Sequence, residues 1–232
     1  MNEVFRQEKK FLISIEEFYK FKALFSKVMY EDAHSKEHEY YPVRSLYFDS
    51  IDDRDYQEKL DGVEVRRKIR LRNYGADSEF ALLEMKQKQG EFQKKRSLKL
   101  NKEDALELIK GNYSILLKYK ETFAKECYAV MMMHCYRPAT VVTYHRKAFI
   151  AKENKIRVTF DYNIVTNENE FNIFSKTLNE YSVFDPYMVI LEVKYNGFLL
   201  AYIKDIINQC EKSQISMSKY CLGRTISKHY VY

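Results

Sequence analysis

The segment Arg66-Arg67-Lys68-Ile69-Arg70-Leu71-Arg72 is the clearest structural signal in the sequence. Successive side chains of an extended strand point to opposite faces. Lys68, Arg70 and Arg72 therefore share one face, and the apolar residues between them share the other. Because like charges repel, a row of cations needs either solvent or an anionic partner. The segment predicts a strand with one packed face and one strongly cationic face.

The same alternation recurs in several other segments. They are Leu83-Glu84-Met85-Lys86-Gln87-Lys88, Gln93-Lys94-Lys95-Arg96, Arg157-Val158-Thr159-Phe160-Asp161, Leu191-Glu192-Val193-Lys194, the alternate residues Arg6, Glu8 and Lys10, and the pair Tyr144 and Arg146. For one strand alone, a solvated sheet face is the ordinary explanation. Solvated faces usually mix neutral and charged residues, whereas these repeat Arg and Lys. Taken together, the strands favour a bound polyanion.

The remaining patterns predict an α+β fold. Period-2 alternation places strands at about 4–13, 43–49, 63–74, 80–88, 92–100, 139–151, 155–165 and 187–195. A capping box at Ser14 predicts a helix over about 14–29. Amphipathic patterns predict further helices at about 101–111, 114–133 and 198–210. We expect the eight strands to close into a barrel with the charged faces inward and the helices packed outside.

Bulk composition limits the functional classes. A chain of 232 residues without linker-like segments predicts a single domain over 1–232. The net charge is +6, from 39 Lys and Arg against 33 Asp and Glu, which favours anionic partners without requiring nucleic acid. The sequence shows neither a signal peptide nor a transmembrane segment, so we expect a cytoplasmic protein.

Phosphate is the anion that the cations fit best. Arg matches phosphate oxygens with two parallel hydrogen bonds and Lys acts as a point charge, so a mixed lining suits a triphosphate. Glu8 and Glu192 lie on otherwise cationic faces, where they either hold Mg²⁺ or Mn²⁺ or form salt bridges. Glu84 and Asp161 are expected to be salt-bridge partners. No Walker or dinucleotide-binding glycine motif occurs.

A set of motifs along essentially the whole chain carries a family resemblance. They are Arg6-x-Glu8-x-Lys10, Ser45-Leu46-Tyr47-Phe48-Asp49, Lys68-Ile69-Arg70-Leu71-Arg72-Asn73-Tyr74-Gly75, Leu83-Glu84-Met85-Lys86, Tyr144-His145-Arg146-Lys147-Ala148-Phe149, Leu191-Glu192-Val193-Lys194 and Ser218-Lys219-Tyr220. In this order they resemble the VTC domain, the polyphosphate-polymerase branch of the triphosphate tunnel metalloenzymes. The sister branch opens with Glu-x-Glu-x-Lys, whereas the first of these positions is Arg6 here.

The resemblance implies an eight-stranded antiparallel tunnel in which ATP gives its terminal phosphate to a growing polyphosphate chain, with Mn²⁺ or Mg²⁺ required. We expect the catalytic cations to be Lys10, Arg70, Arg72, Lys86 and Arg146. Further phosphate ligands are expected to be Arg6, Lys68, Lys88, Lys94, Arg96, Arg157, Lys194, Ser218 and Lys219. Glu192 matches the metal-binding glutamate of the family, and Glu8 is the second candidate ligand.

Two other functions remain open from the sequence. A triphosphate or nucleotide hydrolase would use the same cations and activate water with a carboxylate. A polyphosphate or inositol-phosphate sensor would bind without turnover. The expected partners are ATP and polyphosphate or pyrophosphate. Any coupling to a membrane would require separate membrane proteins, because the VTC-associated SPX and transmembrane regions have no room in this chain.

Overall fold

The computed structural model of the chain describes residues 6–35, 38–90, 92–209 and 213–229. The strands are β1 Arg6–Ser14, β2 Tyr30–Glu31, β3 Tyr41–Asp49, β4 Val65–Asn73, β5 Phe80–Gln89, β6 Phe92–Asn101, β7 Arg137–Ile150, β8 Arg157–Asn167, β9 Tyr181–Ser182, β10 Met188–Asn196 and β11 Ser213–Gln214. The helices are α1 Ile15–Val28, α2 Arg54–Leu60, α3 Lys102–Ile109, α4 Thr122–Met133, α5 Ala201–Asn208, α6 Lys219–Gly223 and α7 Thr225–His229. Short 3₁₀ helices occupy Ala33–Ser35, Tyr113–Lys118 and Glu153–Lys155.

Unit 1 contains the described residues of Met1–Pro42, Tyr144–Ile164 and Phe184–Ser218. Its strands follow the order β11, β1, β10, β8 and β7, and β2 pairs with β7. Helix α1 begins at a capping box formed by Ser14 and Glu17, which satisfies two main-chain N–H groups at the helix start. Phe18, Phe21 and Phe25 of α1 are buried in one core with Phe160 of β8. The apolar sides of these strands are thus covered by helices.

Unit 2 contains the described residues of Val43–Thr143, Val165–Val183 and Lys219–Tyr232. Its strands follow the order β7, β3, β4, β5 and β6, and β9 pairs with β8. Leu83 and Met85 of β5 are fully buried against Leu108 of α3 and Met131 of α4. Truncating a buried side chain of this kind to alanine costs about 2–5 kcal/mol. This core fixes the apolar side of β4–β6 and leaves the other side for polar residues.

All eight long strands predicted from the sequence are present, with boundaries within the described residues shifted by at most about two positions, and residues 4 and 5 of the first predicted strand lie outside those residues. The helix expected at 114–133 is divided into Tyr113–Lys118 and α4. Tyr119 is extended between them, and its hydroxyl donates to Asp104 Oδ2 at 2.7 Å. This tertiary contact outweighs the local helical pattern. The expected helix 198–210 is shorter, and its last residue lies outside the described ones.

The predicted α+β class with antiparallel strands and packed helices is confirmed. Closure of eight strands into a barrel with a polar lumen stays a prediction, as does the single domain. Among the residues that the structure describes, no helix has the length and apolarity needed to cross a membrane.

Candidate functional site

The register of β4, β5 and β6 gathers cations on one side of unit 2. Directly opposed residues of an antiparallel pair project to the same side. Arg70 is opposite Glu84, and Lys86 is opposite both Lys68 and Lys95. We call this side the unit 2 polar face. Its charged members on these three strands are Arg66, Lys68, Arg70, Arg72, Glu84, Lys86, Lys88, Lys95 and Lys99. Glu84 is thus the one carboxylate that β4–β6 contribute to this face.

Glu84 is shared by three cations. Arg70 Nε donates to Glu84 Oε2 at 2.7 Å and Arg72 Nη2 donates to Oε1 at 2.5 Å, while Lys95 pairs with Oε1. The Glu84 side chain is only 2% exposed. Burial raises the pKa of its carboxyl, but the charges of Arg70, Arg72 and Lys95 outweigh burial and lower the pKa to about 2. Glu84 is therefore ionised at neutral pH.

Lys94 and Arg96, both expected to bind phosphate, lie on the other side of β6. Arg96 pairs with Glu126 of α4, and its Nη2 donates to Gln87 Oε1 at 2.8 Å. Its guanidinium also lies 5.1 Å from the centroid of the Phe123 ring. Lys94 is opposite Gln87 on this same helix-covered side. Neither Lys94 nor Arg96 projects to the unit 2 polar face, and their role as phosphate ligands stays a prediction.

Lys95, which sequence reasoning missed, is the residue of Lys94-Lys95-Arg96 that projects to the unit 2 polar face, where it pairs with Glu84. Three consecutive cations hide which of them faces which side. The opposed pair Gln89 and Phe92 closes the β5–β6 hairpin around Gly90, whose φ of 56° favours glycine. A short hairpin at Gly90 fixes the register of β6 against β5. Recognising that hairpin in the sequence would have placed Lys95 opposite Lys86. Burial lowers the pKa of Lys95 to about 8 against the opposing attraction of Glu84.

The register of β1, β10 and β8 gathers a second set of charges, which we call the unit 1 polar face. Its charged members with described side chains are Glu8, Lys10, Arg157, Asp161, Glu192 and Lys194. Lys10 Nζ lies 3.2 Å from Glu8 Oε1 and donates to the Met217 carbonyl at 3.2 Å. Lys194 pairs with Glu192. Cations and carboxylates therefore alternate on this face.

Arg146 of β7 joins these charges through Asp161. Its Nε and Nη2 donate to Asp161 Oδ1 and Oδ2 at 2.6 and 2.7 Å, which is a bidentate pair. Both residues are buried. Burial alone would lower the pKa of Arg146, but the Asp161 carboxylate outweighs it and raises the pKa. The predicted salt-bridge roles of Glu84 and Asp161 are both confirmed.

Arg157 is held by two groups of unit 1. Its Nη2 donates to Asp32 Oδ2 at 2.8 Å and to the Tyr41 hydroxyl at 3.1 Å. Burial raises the pKa of Tyr41 to about 12, although Arg146 and Arg157 act in the opposite direction. The phenol therefore stays protonated at neutral pH.

The remaining predicted ligands are placed at the ends of elements. Ser218 follows β11 within unit 1, and Lys219 begins α6 in unit 2. Both side chains are partly exposed. The main chain of Arg6 pairs with Asn196, but its side chain lies outside the described part of the chain.

Two carboxylates of unit 1 fit a divalent cation. Glu8 is opposite Lys194 and Glu192 is opposite Lys10, so Glu8 and Glu192 are diagonal neighbours on one face. Mg²⁺ is commonly bound by one or two carboxylates together with substrate phosphates and water. In the described ranges no group of three or more acidic, His or Cys residues is arranged to hold a metal. Glu8 and Glu192 supply the hard oxygen donors that Mg²⁺ and Mn²⁺ prefer.

Two solved structures share the fold over nearly the whole chain. A candidate adenylate cyclase from Bacillus halodurans is 13% identical, with a TM-score of 0.54, over 97% of this chain and 99% of that one. A candidate adenylyl cyclase from Hippeastrum, described as having a dominant triphosphatase activity, is 12% identical, with a TM-score of 0.58, over 94% of each chain. At these identities the likeness shows the fold alone. No curated protein matches the chain.

The family comparison is more specific than the likeness of fold. The model of the VTC domain matches residues 5–228, which is nearly the full length of the sequence. That span includes both polar faces and all the motifs on which the resemblance depends. The chain belongs to the VTC domain family.

Proposed function

We propose that this chain is a metal-dependent polyphosphate polymerase, which transfers the terminal phosphate of ATP to a growing polyphosphate chain. The observation that carries the proposal is the charge imbalance of the unit 2 polar face, where Glu84 is the only carboxylate that β4–β6 set against eight cations. Their mutual repulsion lowers stability, and a bound polyanion offsets it. A chain of phosphates provides several negative charges in a row, which matches cations that follow a strand.

Arg70 and Arg72 are the central phosphate ligands in this proposal. Both donate to the Glu84 carboxylate, which presents two oxygens much as a phosphoryl group does. Glu84 thus acts as an internal anion that keeps the guanidinium groups oriented before substrate binds. Lys68, Lys86 and Lys95 add point charges along the same face.

The chemistry needs little from the protein beyond position and charge. An oxygen of the terminal phosphate of the acceptor chain attacks the γ-phosphorus of ATP, and the bond from that phosphorus to the β–γ bridging oxygen breaks. ADP leaves with the bonding electron pair, and the acceptor chain is one phosphate longer. The cations neutralise charge on the transferred group, so no protein nucleophile is required.

Unit 1 contributes the residues that fit a metal ion. Glu192 and Glu8 would hold Mn²⁺ or Mg²⁺, which when bound supplies positive charge to phosphoryl oxygens. Lys10 and Lys194 now pair with these carboxylates. Exchange of carboxylate partners would direct both ammonium groups to phosphate. We include Arg146, Arg157, Ser218 and Lys219 among the proposed phosphate ligands.

The proposal is tested by incubating the purified protein with ATP and Mn²⁺ or Mg²⁺, with and without a short polyphosphate primer. We expect polyphosphate to form, with one ADP released for each phosphate added to the chain. Absence of chain growth under all of these conditions would reject the polymerase assignment.

Triphosphate hydrolysis is the second candidate, favoured by the triphosphatase activity described for the Hippeastrum structure of the same fold. The same cations would hold the substrate, and a carboxylate such as Glu8 would activate water. Release of orthophosphate without chain growth distinguishes this function. Tight binding of tripolyphosphate without any product would identify a sensor.

A further inference from the structure

Three residues of the family motifs have no place in the phosphate-binding scheme. Tyr47 and Asp49 belong to the motif Ser45-Leu46-Tyr47-Phe48-Asp49, and Tyr220 follows Lys219 directly. All three are buried within unit 2, where they contact one another. Their contacts lead to two cations of the unit 2 polar face.

The carboxylate of Asp49 is held in place by main-chain hydrogen bonds. Its Oδ1 accepts main-chain N–H groups of Ser50 and Asp55 at 2.7 and 2.8 Å, and its Oδ2 accepts that of Tyr56 at 2.9 Å. The hydroxyl of Tyr220 also donates to Oδ2. Burial and the Asp49 charge raise the pKa of Tyr220, so the phenol remains a donor. Asp49 therefore links the start of α6 to the start of α2 by hydrogen bonds.

The Tyr220 ring contacts both a second tyrosine and a lysine. It stacks on the Tyr47 ring with centroids 5.1 Å apart and planes at 28°, and it meets the Tyr56 ring edge to face at 6.2 Å. Lys68 Nζ lies 5.6 Å from the centroid of the Tyr220 ring. A cation near an aromatic face is attracted by the ring. The ring therefore restricts where the Lys68 ammonium lies.

Tyr47 restricts Arg70 in a similar way. Arg70 Nη1 donates to the Tyr47 hydroxyl at 3.2 Å, while Arg70 Nε donates to Glu84. The guanidinium carbon also lies 5.9 Å from the centroid of the Tyr47 ring. Two partners on different nitrogens define the plane of a guanidinium. Orientation of that plane decides whether the group meets phosphate with parallel hydrogen bonds.

We propose that Tyr47 and Tyr220, fixed by Asp49, are positioning residues that orient Arg70 and Lys68 for phosphate binding. The inference rests on the phosphate-binding part of the proposed function and does not depend on catalysis. Because Tyr220 is the neighbour of Lys219 in sequence, the same anchor also sets the main chain at that proposed ligand. Neither tyrosine needs to touch phosphate.

The test uses inorganic tripolyphosphate and the full chain. Tyr47→Phe removes the hydroxyl that accepts from Arg70 and keeps the ring, and we expect the Kd for tripolyphosphate to rise about tenfold, as for loss of one hydrogen bond to a charged group. Tyr113→Phe is the matched control, because Tyr113 is a buried tyrosine of unit 2 whose hydroxyl donates to the Tyr136 carbonyl at 2.7 Å. The control should lose stability and keep its affinity for tripolyphosphate.

A second pair of variants separates the ring from the hydroxyl of Tyr220. Tyr220→Phe keeps the stacking on Tyr47 and the contact with Lys68, so it should weaken tripolyphosphate binding less than Tyr220→Leu does. If Tyr220→Leu does not fold, the comparison of Tyr47→Phe with Tyr113→Phe still decides. Both measurements are made by calorimetry well below the unfolding temperature of each variant.

The outcomes distinguish the inference from the function. Tripolyphosphate binding by Tyr47→Phe that equals the wild type, while Arg70→Ala weakens it, overturns the positioning role and leaves the polymerase proposal intact. Equal weakening by Tyr47→Phe and Tyr113→Phe also overturns the role, because the effect is then general. A wild-type protein that binds tripolyphosphate but makes no polyphosphate rejects the polymerase alone, and the affinity of Tyr47→Phe still decides the inference.

Discussion

The polar faces of the two units balance their charges differently. On the unit 2 polar face one buried carboxylate, that of Glu84, is shared by three cations. On the unit 1 polar face and the residues bonded to it, charges occur in pairs. The shared set is Arg70, Arg72 and Lys95 with Glu84, and the pairs are Lys10 with Glu8, Lys194 with Glu192, Arg146 with Asp161 and Arg157 with Asp32.

This difference divides the expected ligands between the units. Binding of an anion stabilises a face with surplus cations, since each added negative charge reduces the repulsion between those cations. A face of matched pairs is already neutralised, so phosphate stabilises its cations less, and a metal ion would bind its carboxylates by replacing their lysine partners. We therefore expect anion affinity to depend mainly on unit 2 and metal dependence to depend on Glu8 and Glu192 of unit 1.

The largest effect should come from breaking a matched pair of unit 1. Asp161→Asn leaves the buried Arg146 guanidinium without its counter-ion, which costs about 3–5 kcal/mol of unfolding free energy. Urea unfolding measures the loss. Glu58→Gln is the control, because Glu58 pairs with the half-exposed Arg54 and such pairs contribute less than about 1 kcal/mol. Equal losses in the two variants would mean that the Arg146 pair is not buried as described.

Removing the shared carboxylate of unit 2 should lower the unfolding free energy slightly less than Asp161→Asn does. The pKa of Glu84 is about 2, against about 4.3 in an unfolded chain, which corresponds to about 3 kcal/mol at neutral pH. The lowered pKa of Lys95 opposes this value, but solvent screens the charge of its 46% exposed side chain, so the buried Glu84 dominates. Glu84→Gln should therefore be less stable by about that amount.

The pH dependence and the ligand response sharpen this prediction. Because the folded-state pKa of Glu84 is depressed, its contribution is present above about pH 4.3 and is lost as pH falls toward 2. The stability difference between wild type and Glu84→Gln should shrink over that window. Tripolyphosphate should raise the melting temperature of the variant more than that of the wild type, since it replaces the missing anion. Equal ligand-induced shifts would contradict the role of Glu84 as an internal anion.

The long strands and helix α1 can be predicted from the sequence because their signals are local. The alternation in β4 identifies Lys68, Arg70 and Arg72 as one face without any tertiary information. The capping box at Ser14 likewise identifies the start of α1. The seven-residue helix α2 lacks such a signal, because its N-cap Asp53 adopts a left-handed conformation and makes no side-chain capping bond. Its stability comes from tertiary contacts that the sequence pattern does not show.

The partners of each charge could not be predicted, because they depend on register between strands. Alternation places Lys94 and Arg96 together and Lys95 apart, but only the β5–β6 pairing shows which set joins Glu84. A register change of one residue would exchange the two sets. The same limit applies to Tyr47 and Tyr220, which are 173 positions apart and meet only through tertiary structure.

Substitutions on the two sides of β4–β6 test which cations act on phosphate. Arg72→Ala should reduce polyphosphate synthesis by about 100-fold, the usual cost of losing one preorganised charge-stabilising donor. Arg96→Ala removes a cation of the same type from the helix-covered side, where Arg96 pairs with Glu126. It should keep the rate of synthesis within about twofold. If Arg96→Ala lowers the rate of synthesis as much as Arg72→Ala does, Arg96 also acts on phosphate.

The smallest and most discriminating effect concerns neighbouring lysines of one strand. Lys95→Ala should weaken tripolyphosphate binding about tenfold, because it removes one charged donor from the unit 2 polar face. Lys94→Ala changes the net charge of the protein equally but acts on the opposite side of β6. Its effect should be small and should disappear at high salt, since only long-range attraction is lost. Calorimetric titration at two salt concentrations separates the variants, and a larger loss for Lys94→Ala would show that the register of β6 differs from the one described.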